Sequence, residues 1–317
     1  VPPVVRPESL AICARVAAHG LISAECDALV GAVPDDDGIA GGASAGRLHL
    51  VERAAYVQTG VRVIAHAESL DALVDDVAVT DFDADRFRID VHDPSSRLGL
   101  GSPEVATRLA DVIAFGPDLR DPMHRFLVTS SAAGVSFGEV VAHTDAGYRA
   151  HESKPWTTSS SLDPRFSRAL VNLVPEATSI IDPCCGAGSI VLEAAALGLG
   201  AIGVDWKAAM AGMTRENLAH FGYEAHVDRA DSRTTAYTAD AVVTDLPYGH
   251  AIDSDEATVR SILERGASMA PVGVYVAPHD LSDWLVAAGH RVDAVHTVLK
   301  RRGFTRWIHV TRSSSMH

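Results

Sequence analysis

Residues 178–195 read TSIIDPCCGAGSIVLEAA. The apolar run TSIID at 178–182 has the length and β-branched content of a buried strand, and 188–197 continues with a helical pattern. Between them Gly186 and Gly188 let the chain turn tightly and bring bare backbone close to a ligand. A dinucleotide fingerprint would be G-x-G-x-x-G, but its third glycine is replaced by Val191, and an Asp-Pro pair precedes the turn. The pattern therefore departs from a pyrophosphate site. The plainest alternative is a glycine-rich strand-to-helix turn with no ligand.

Outward from this stretch the texture repeats. Strands are expected at 178–182, 201–205, 224–228, 240–244, 272–277, 290–298 and 304–310, and helices at 188–197, 207–221, 254–268 and 279–288. Alternating units of this kind predict an α/β fold with a parallel, doubly wound sheet. Only KRRG at 300–303 separates the last two strands, so they form a hairpin and one strand runs antiparallel to the rest. Before residue 151 the expectation is α+β. Helices are predicted at 8–19, 23–32, 52–78 and 103–116, a loop at 33–46, a strand at 87–92 (FRIDVH), and a hairpin from 125–131 and 134–144. The polar connection 151–165 then divides the chain into an N-terminal region, 1–150, and a second domain, 151–317.

The chain has 317 residues, 47% apolar and 21% charged, which excludes a disordered or collagenous chain and suits two domains with cores of their own. It holds no stretch of 18 uncharged apolar residues, so no membrane span is expected. Its first residues, VPPVVRPESLAICARV, make a poor secretory signal. Cys13, Cys26, Cys184 and Cys185 form no C-x-x-C pair, and the 15 histidines lie at no metal-ligand spacing. Neither a disulfide framework nor a metal is expected, and a reducing cytoplasm is the expected setting. The net charge is −14. Residues 1–150 carry 12 Lys and Arg against 22 Asp and Glu, whereas 151–317 carry 15 against 19. Such a surface is a poor match for nucleic acid, which binds basic surfaces by counterion release.

Several polar residues sit where strands are expected to end. Asp205 ends the second strand, 17 residues after Gly188, where a carboxylate can accept bonds from two ribose hydroxyls or can cap the next helix. Asp231-Ser232 follows the third strand, as a ligand acceptor or a turn. Asp245-Leu246-Pro247-Tyr248-Gly249 follows the fourth. There a carboxylate, a proline-stiffened carbonyl and an aromatic face suit a planar exocyclic amine, with Asp245 and the carbonyl accepting its two N–H bonds and Tyr248 stacking on the ring. Lys300, Arg301, Arg302 and Arg306 gather near the terminal hairpin, either to meet a phosphate or to keep a strand edge soluble.

These residues carry a resemblance. Residues 151–310 resemble the methyltransferase domain of the THUMP-associated guanine-N2 tRNA methyltransferases, through SLDPRFSRALVNL (161–173), DPCCGAGSIVLEAA (182–195), GVDW (203–206), ENLAHFG (216–222), DLPYG (245–249) and RWIHV (306–310). The resemblance implies a class I, Rossmann-like seven-stranded methyltransferase domain that binds S-adenosylmethionine. It implies cofactor contacts from Asp182, Cys184, Gly186, Ala187, Gly188, Asp205, Trp206, Asp231, Ser232 and Asp245, with Cys184 mainly packing. Catalysis would fall to Asp245, Pro247 and Tyr248. Residues 1–150 resemble, more distantly, a THUMP region with a ferredoxin-like part, but one without the expected basic surface. The expected activity is N-methylation of an exocyclic amine, guanine N2 in tRNA. The alternatives are N-methylation of a small amine-bearing, nucleoside-like molecule and a catalytically silent binding protein. A DNA adenine methyltransferase would need a basic target-recognition region that this sequence lacks.

Overall fold

The computed structural model describes residues 7–247, 256–301 and 303–314. The chain forms two compact units, Val1–Arg15 with Leu29–Asp145, and Val16–Ala28 with Ala146–His317. The division thus falls before residue 150, where the sequence reading put it, and segment 16–28 goes with the second unit. Helix α1 (His19–Val30) spans the change at residue 28.

The first unit is α+β. Its six strands are β1 (Ser9–Cys13), β2 (Ile39–Gly41), β3 (Val57–Ala67), β4 (Phe87–His92), β5 (His124–Ser131) and β6 (Gly134–His143), in the order β2-β1-β3-β6-β5-β4. All neighbours are antiparallel except β4 and β5. Helices α2 (Leu70–Val79) and α3 (Ser102–Ala110) bury Leu70, Leu73, Val77, Val105 and Leu109 in one cluster with Phe87, Phe126 and Phe137. Each such fully buried side chain contributes about 1.5–3 kcal/mol.

Two predicted helices of this unit are corrected. Residues 9–13 are a strand, not part of a helix over 8–19; all five are buried, and the strand is paired on both edges by β2 and β3. A short run buried on both faces has no alternation to distinguish it from a helix. The helix read over 52–78 splits. Val57–Ala67 is a strand, and only Leu70–Val79 is an α-helix, started by Ser69, whose side chain accepts from the Ala72 N–H at 3.3 Å. The loop read at 33–46 contains the short β2, and α3 stops at Ala110 rather than at Gly116.

The second unit carries the seven expected strands, β7 (Ser179–Asp182), β8 (Gly200–Val204), β9 (His226–Asp228), β10 (Ala241–Asp245), β11 (Val272–Ala277), β12 (His290–Arg301) and β13 (Phe304–Ser313), in the order β12-β13-β11-β10-β7-β8-β9. The run from β11 to β9 is parallel. β13 is antiparallel to both β11 and β12, as the short KRRG connection required. Helices α5 (Ser189–Ala196), α6 (Ala208–Phe221), α7 (Glu256–Met269) and α8 (Ser282–Ala287) match expectation. Helix α4 (Pro164–Asn172) does not. It was signalled by Asp163-Pro164, since Asp163 caps it by accepting from the Phe166 N–H at 3.2 Å and proline takes the first helical position.

Candidate active site

In this sheet β7 is followed by β8 on one side and flanked by β10 on the other, so the direction of winding changes between β7 and β10. Ligands of open α/β sheets bind at the carboxyl ends of the strands at such a switch point. The glycine turn and Asp245 both lie there.

The turn is locked by its neighbours. Gly186 and Gly188 have φ of 55° and 80°, a region that side chains with a Cβ rarely adopt. A Cβ on Gly188 would lie 2.5 Å from the Thr214 methyl, whereas one on Gly186 would meet nothing within 4 Å. Gly188 is thus required by packing, whereas Gly186 faces open space where a ligand can approach. Thr214 donates to the Gly186 carbonyl (2.8 Å), Asn217 Nδ2 to the Ala187 carbonyl (2.8 Å), and the Cys185 N–H to the Val204 carbonyl (3.0 Å). Asn217 also exchanges two bonds of 2.9 Å with the backbone of Trp156, tying the 151–165 connection to α6. Burial, with the charges of Asp182 and Asp205, raises the Cys184 thiol well above its usual range, which fits a packing role.

Carboxylates converge on this turn. Asp182 is buried and accepts from Thr244 Oγ1 (2.7 Å) and the Cys184 N–H (3.0 Å). Burial pushes its pKa up to about 7, and the neighbouring charges of Asp245 and Asp205 add to the shift. Asp205 accepts from the Gly186 N–H (3.0 Å) through one oxygen and from the Lys207 N–H (2.8 Å) through the other. It therefore shapes both the glycine turn and the entry to α6. A carboxylate has about four acceptor positions, so it retains capacity for ligand hydroxyls. Burial raises the Asp205 pKa as well. Asp245 ends β10 opposite Val276, and the Leu246 N–H donates to the Val276 carbonyl (3.0 Å), which fixes the start of the turn. Leu246 is buried and Pro247 half-buried; Tyr248 and Gly249 lie outside the described residues. Three carboxylates at the ends of β7, β8 and β10 repel one another in a partly dry site. That arrangement suits a ligand bearing positive charge and hydroxyl groups.

Two other expected residues are placed differently. Trp206 follows Asp205 with its indole 61% exposed, and the Lys207 ammonium lies 5.0 Å from the ring centroid. Asp231 is gripped by Arg233, whose Nε and Nη2 reach its oxygens at 2.6–3.1 Å and hold its pKa low. A ligand amine would share that carboxylate with the guanidinium. Ser232 beside it is buried. The sequence reading gave no role to His151, Lys154 and Glu193, which lie behind the turn. Lys154 is buried and donates to Ser189 Oγ (2.6 Å), the residue after Gly188. The signal for Glu193 was a charged residue inside an apolar run, SIVLEAAA, whereas His151 and Lys154 lie in the polar connection and carried no such signal. Among the described residues no group of His, Cys, Asp and Glu could hold a metal ion, and no helix is long and apolar enough to cross a membrane.

Residues 152–308 match the family model described as UPF0020, RMKL-like, methyltransferase domain. Among curated proteins, the chain is 31% identical over 204 residues to a tRNA (guanine(10)-N2)-dimethyltransferase of Methanothermobacter thermautotrophicus, a match covering 59% of this chain and 57% of that protein. It is also 31% identical over 124 residues to the protein of the same name from Pyrococcus abyssi, covering 36% and 38%. The chain thus spans about half the length, or less, of the curated relatives it matches. Among solved structures, TrmN from Thermus thermophilus superposes with a TM-score of 0.52 at 18% identity, over 96% of this chain and 99% of that one, a likeness of fold.

Proposed function

We propose that this chain, whose residues 152–308 match the UPF0020, RMKL-like methyltransferase domain model, is an S-adenosylmethionine-dependent N-methyltransferase that acts on guanine N2 in tRNA. The observation that carries the reading is the set of three carboxylates around a left-handed glycine turn at the switch point of the sheet. The relatives named for tRNA guanine-N2 methylation support the substrate. A tRNA substrate also suits a cytoplasmic setting.

When bound, the cofactor supplies a methyl group on a cationic sulfonium, so no covalent enzyme intermediate is needed. In this reading residues 182–188, with Asp182, Cys184, Gly186, Ala187 and Gly188, hold its amino-acid end. Asp205 takes ribose hydroxyls, Trp206 offers an exposed ring face, and Asp231 with Ser232 meets the base. Asp245 accepts an N–H of the exocyclic amine, orients its nitrogen lone pair and stabilises positive charge that develops there. Pro247 stiffens the turn, and Tyr248 covers the ring.

A second reading keeps the chemistry and changes the acceptor. Residues 1–150 carry 22 acidic against 12 basic side chains, an unpromising surface for RNA, which favours a small nucleoside-like amine. On the tRNA reading the N-terminal unit is a degenerate THUMP-like region. Methyl transfer to total tRNA, measured across a salt series, separates the two. Salt-dependent incorporation supports tRNA, and incorporation only into small molecules from a cell extract replaces it.

Two results are expected at the cofactor. Asp205→Ala should weaken S-adenosylmethionine binding by roughly 1.5–3 kcal/mol in a folded protein, because a charged acceptor is lost. Calorimetry giving wild-type affinity would remove Asp205 from the site. The second concerns protons. Asp182 has a pKa of about 7 in the unliganded protein, and a cation bound nearby lowers it. Binding at pH 7 should therefore release protons, and affinity should rise with pH up to about 7 and level off above it. Titrations at pH 7 in two buffers of different ionisation enthalpy measure this directly; proton uptake on binding contradicts it.

A further inference from the structure

A cavity of about 360 Å³ in the second unit is walled by residues from 151–164 together with Lys300 and Arg306. The whole chain contains only three lysines, and two of them, Lys154 and Lys300, line this one space. Arg306 lines it too. Its side chain is only 5% exposed, its guanidinium carbon lies 5.0 Å from the Phe166 ring, and its Nε has no hydrogen-bond partner among the described residues. An unsatisfied donor on a buried cation is costly and calls for a partner that binds there. Lys154 is buried as well. Its Nζ donates to Ser189 Oγ, which in turn donates to the Leu162 carbonyl (3.2 Å), so the cavity wall is joined to the residue following Gly188. Thr158 and Ser161 add hydroxyls on the same wall. Three carboxylates stand near these cations. Asp163 is engaged in capping α4, Glu193 is held by Arg168 and His151, and Glu152 is exposed. With Asp163 and Glu193 engaged elsewhere, the cations of Lys300 and Arg306 are left to face the cavity with Lys154, in a chain of net charge −14.

We propose that this cavity is a phosphate subsite, in which Arg306, Lys154 and Lys300 grip a backbone phosphate of the nucleic-acid substrate. Arginine suits this role because its planar fork meets phosphate oxygens in pairs, and a lysine adds a mobile point charge. The site explains how an acidic chain can hold a polyanion: contact is concentrated in one lined cavity instead of spread over a basic face. The identity of the phosphate-bearing molecule rests on the guanine reading above, whereas the anion site does not.

The test uses the full chain with four probes: guanosine, guanosine 5′-monophosphate, ribose 5-phosphate and inorganic phosphate. Wild type should bind the nucleotide about tenfold tighter than the nucleoside, and should broaden the phosphorus resonances of the other two. Lys300→Ala, at an exposed position, and Arg306→Gln, at the buried one, should each reduce the nucleotide advantage by about threefold or more while leaving affinity for S-adenosylhomocysteine within about twofold. Equal binding of nucleotide and nucleoside by wild type, with no effect on the phosphorus lines, overturns the subsite. Variants that lose S-adenosylhomocysteine affinity but keep the nucleotide advantage also overturn it and assign the cations to the cofactor carboxylate. If ribose 5-phosphate and inorganic phosphate bind and guanosine adds nothing, the subsite stands and the guanine reading falls.

Discussion

Asp245→Ala lowers single-turnover methyl transfer by about 100- to 1,000-fold at saturating cofactor, the usual loss when one preorganised group aimed at developing charge is removed. The expectation follows from position. Asp245 ends β10, beside the glycine turn that closes β7, at the point where the sheet changes its direction of winding. The Leu246 N–H bond to Val276 holds the backbone that carries it, so the carboxylate is presented from a rigid strand end. Cofactor affinity should stay within about tenfold, because Asp205 and the turn are untouched and the charge removed is one of three. The variant should also leave a signature on Asp182. Asp245 is among the charges that raise the Asp182 pKa, so its removal lowers that pKa and moves the pH at which cofactor affinity levels off downward. Asp245→Asn keeps the shape and one acceptor and should fall between wild type and alanine. Wild-type turnover in Asp245→Ala would return the DLPYG stretch to a simple turn, and an unmoved pH profile would separate Asp245 from Asp182.

The second unit was largely legible in the sequence because each of its strands is a short apolar run set off by a helix, and length alone distinguishes the two. The first unit was less so. β1 is apolar apart from Ser9 because all five of its residues are buried, and such a run looks the same in a helix. In β3 Gly60 and Ile64 interrupt the alternation, so Gln58, Arg62 and His66 stand four apart, a spacing that reads as helical and runs on into the helix that follows. The site divides in a similar way. Gly186, Gly188, Asp205 and Asp245 stand at strand ends, where topology tells what a residue faces. The cations of the phosphate cavity come from residues 154, 300 and 306, which only the folded sheet brings together. Nothing local in the sequence joins Lys154 to Arg306. Asp231 was legible as a carboxylate after a strand, but Arg233 grips it only through the geometry of the folded turn.

Glu193→Ala destabilises the second unit by roughly 3–5 kcal/mol, the usual cost of removing one member of a buried ion pair. Glu193 lies on α5, one turn beyond the glycine loop, with its side chain only 1% exposed. One oxygen meets Arg168 Nε of α4 at 2.8 Å, and the other meets His151 Nδ1 at 2.6 Å. Arg168 is 2% exposed, so water reaches the pair poorly when the carboxylate goes. The damage should reach function as well, because α5 begins at Ser189 and carries the loop that follows β7; a loosened α5 weakens cofactor binding without touching a ligand contact. All four tryptophans, at 156, 206, 284 and 307, belong to the second unit, so denaturant unfolding followed by their fluorescence reports this unit selectively. Replacing both ions decides what the pair does. If Glu193→Leu with Arg168→Met recovers most of the lost stability, the penalty in Glu193→Ala came from burying one ion of the pair without the other, and the pair itself adds little net stability. If the double variant is as unstable as the single one, packing around α4 and α5 depends on the ions themselves. A Glu193→Ala protein that unfolds within about 1 kcal/mol of wild type would mean that Arg168 is satisfied without Glu193, and the carboxylate would lose its role in anchoring the loop.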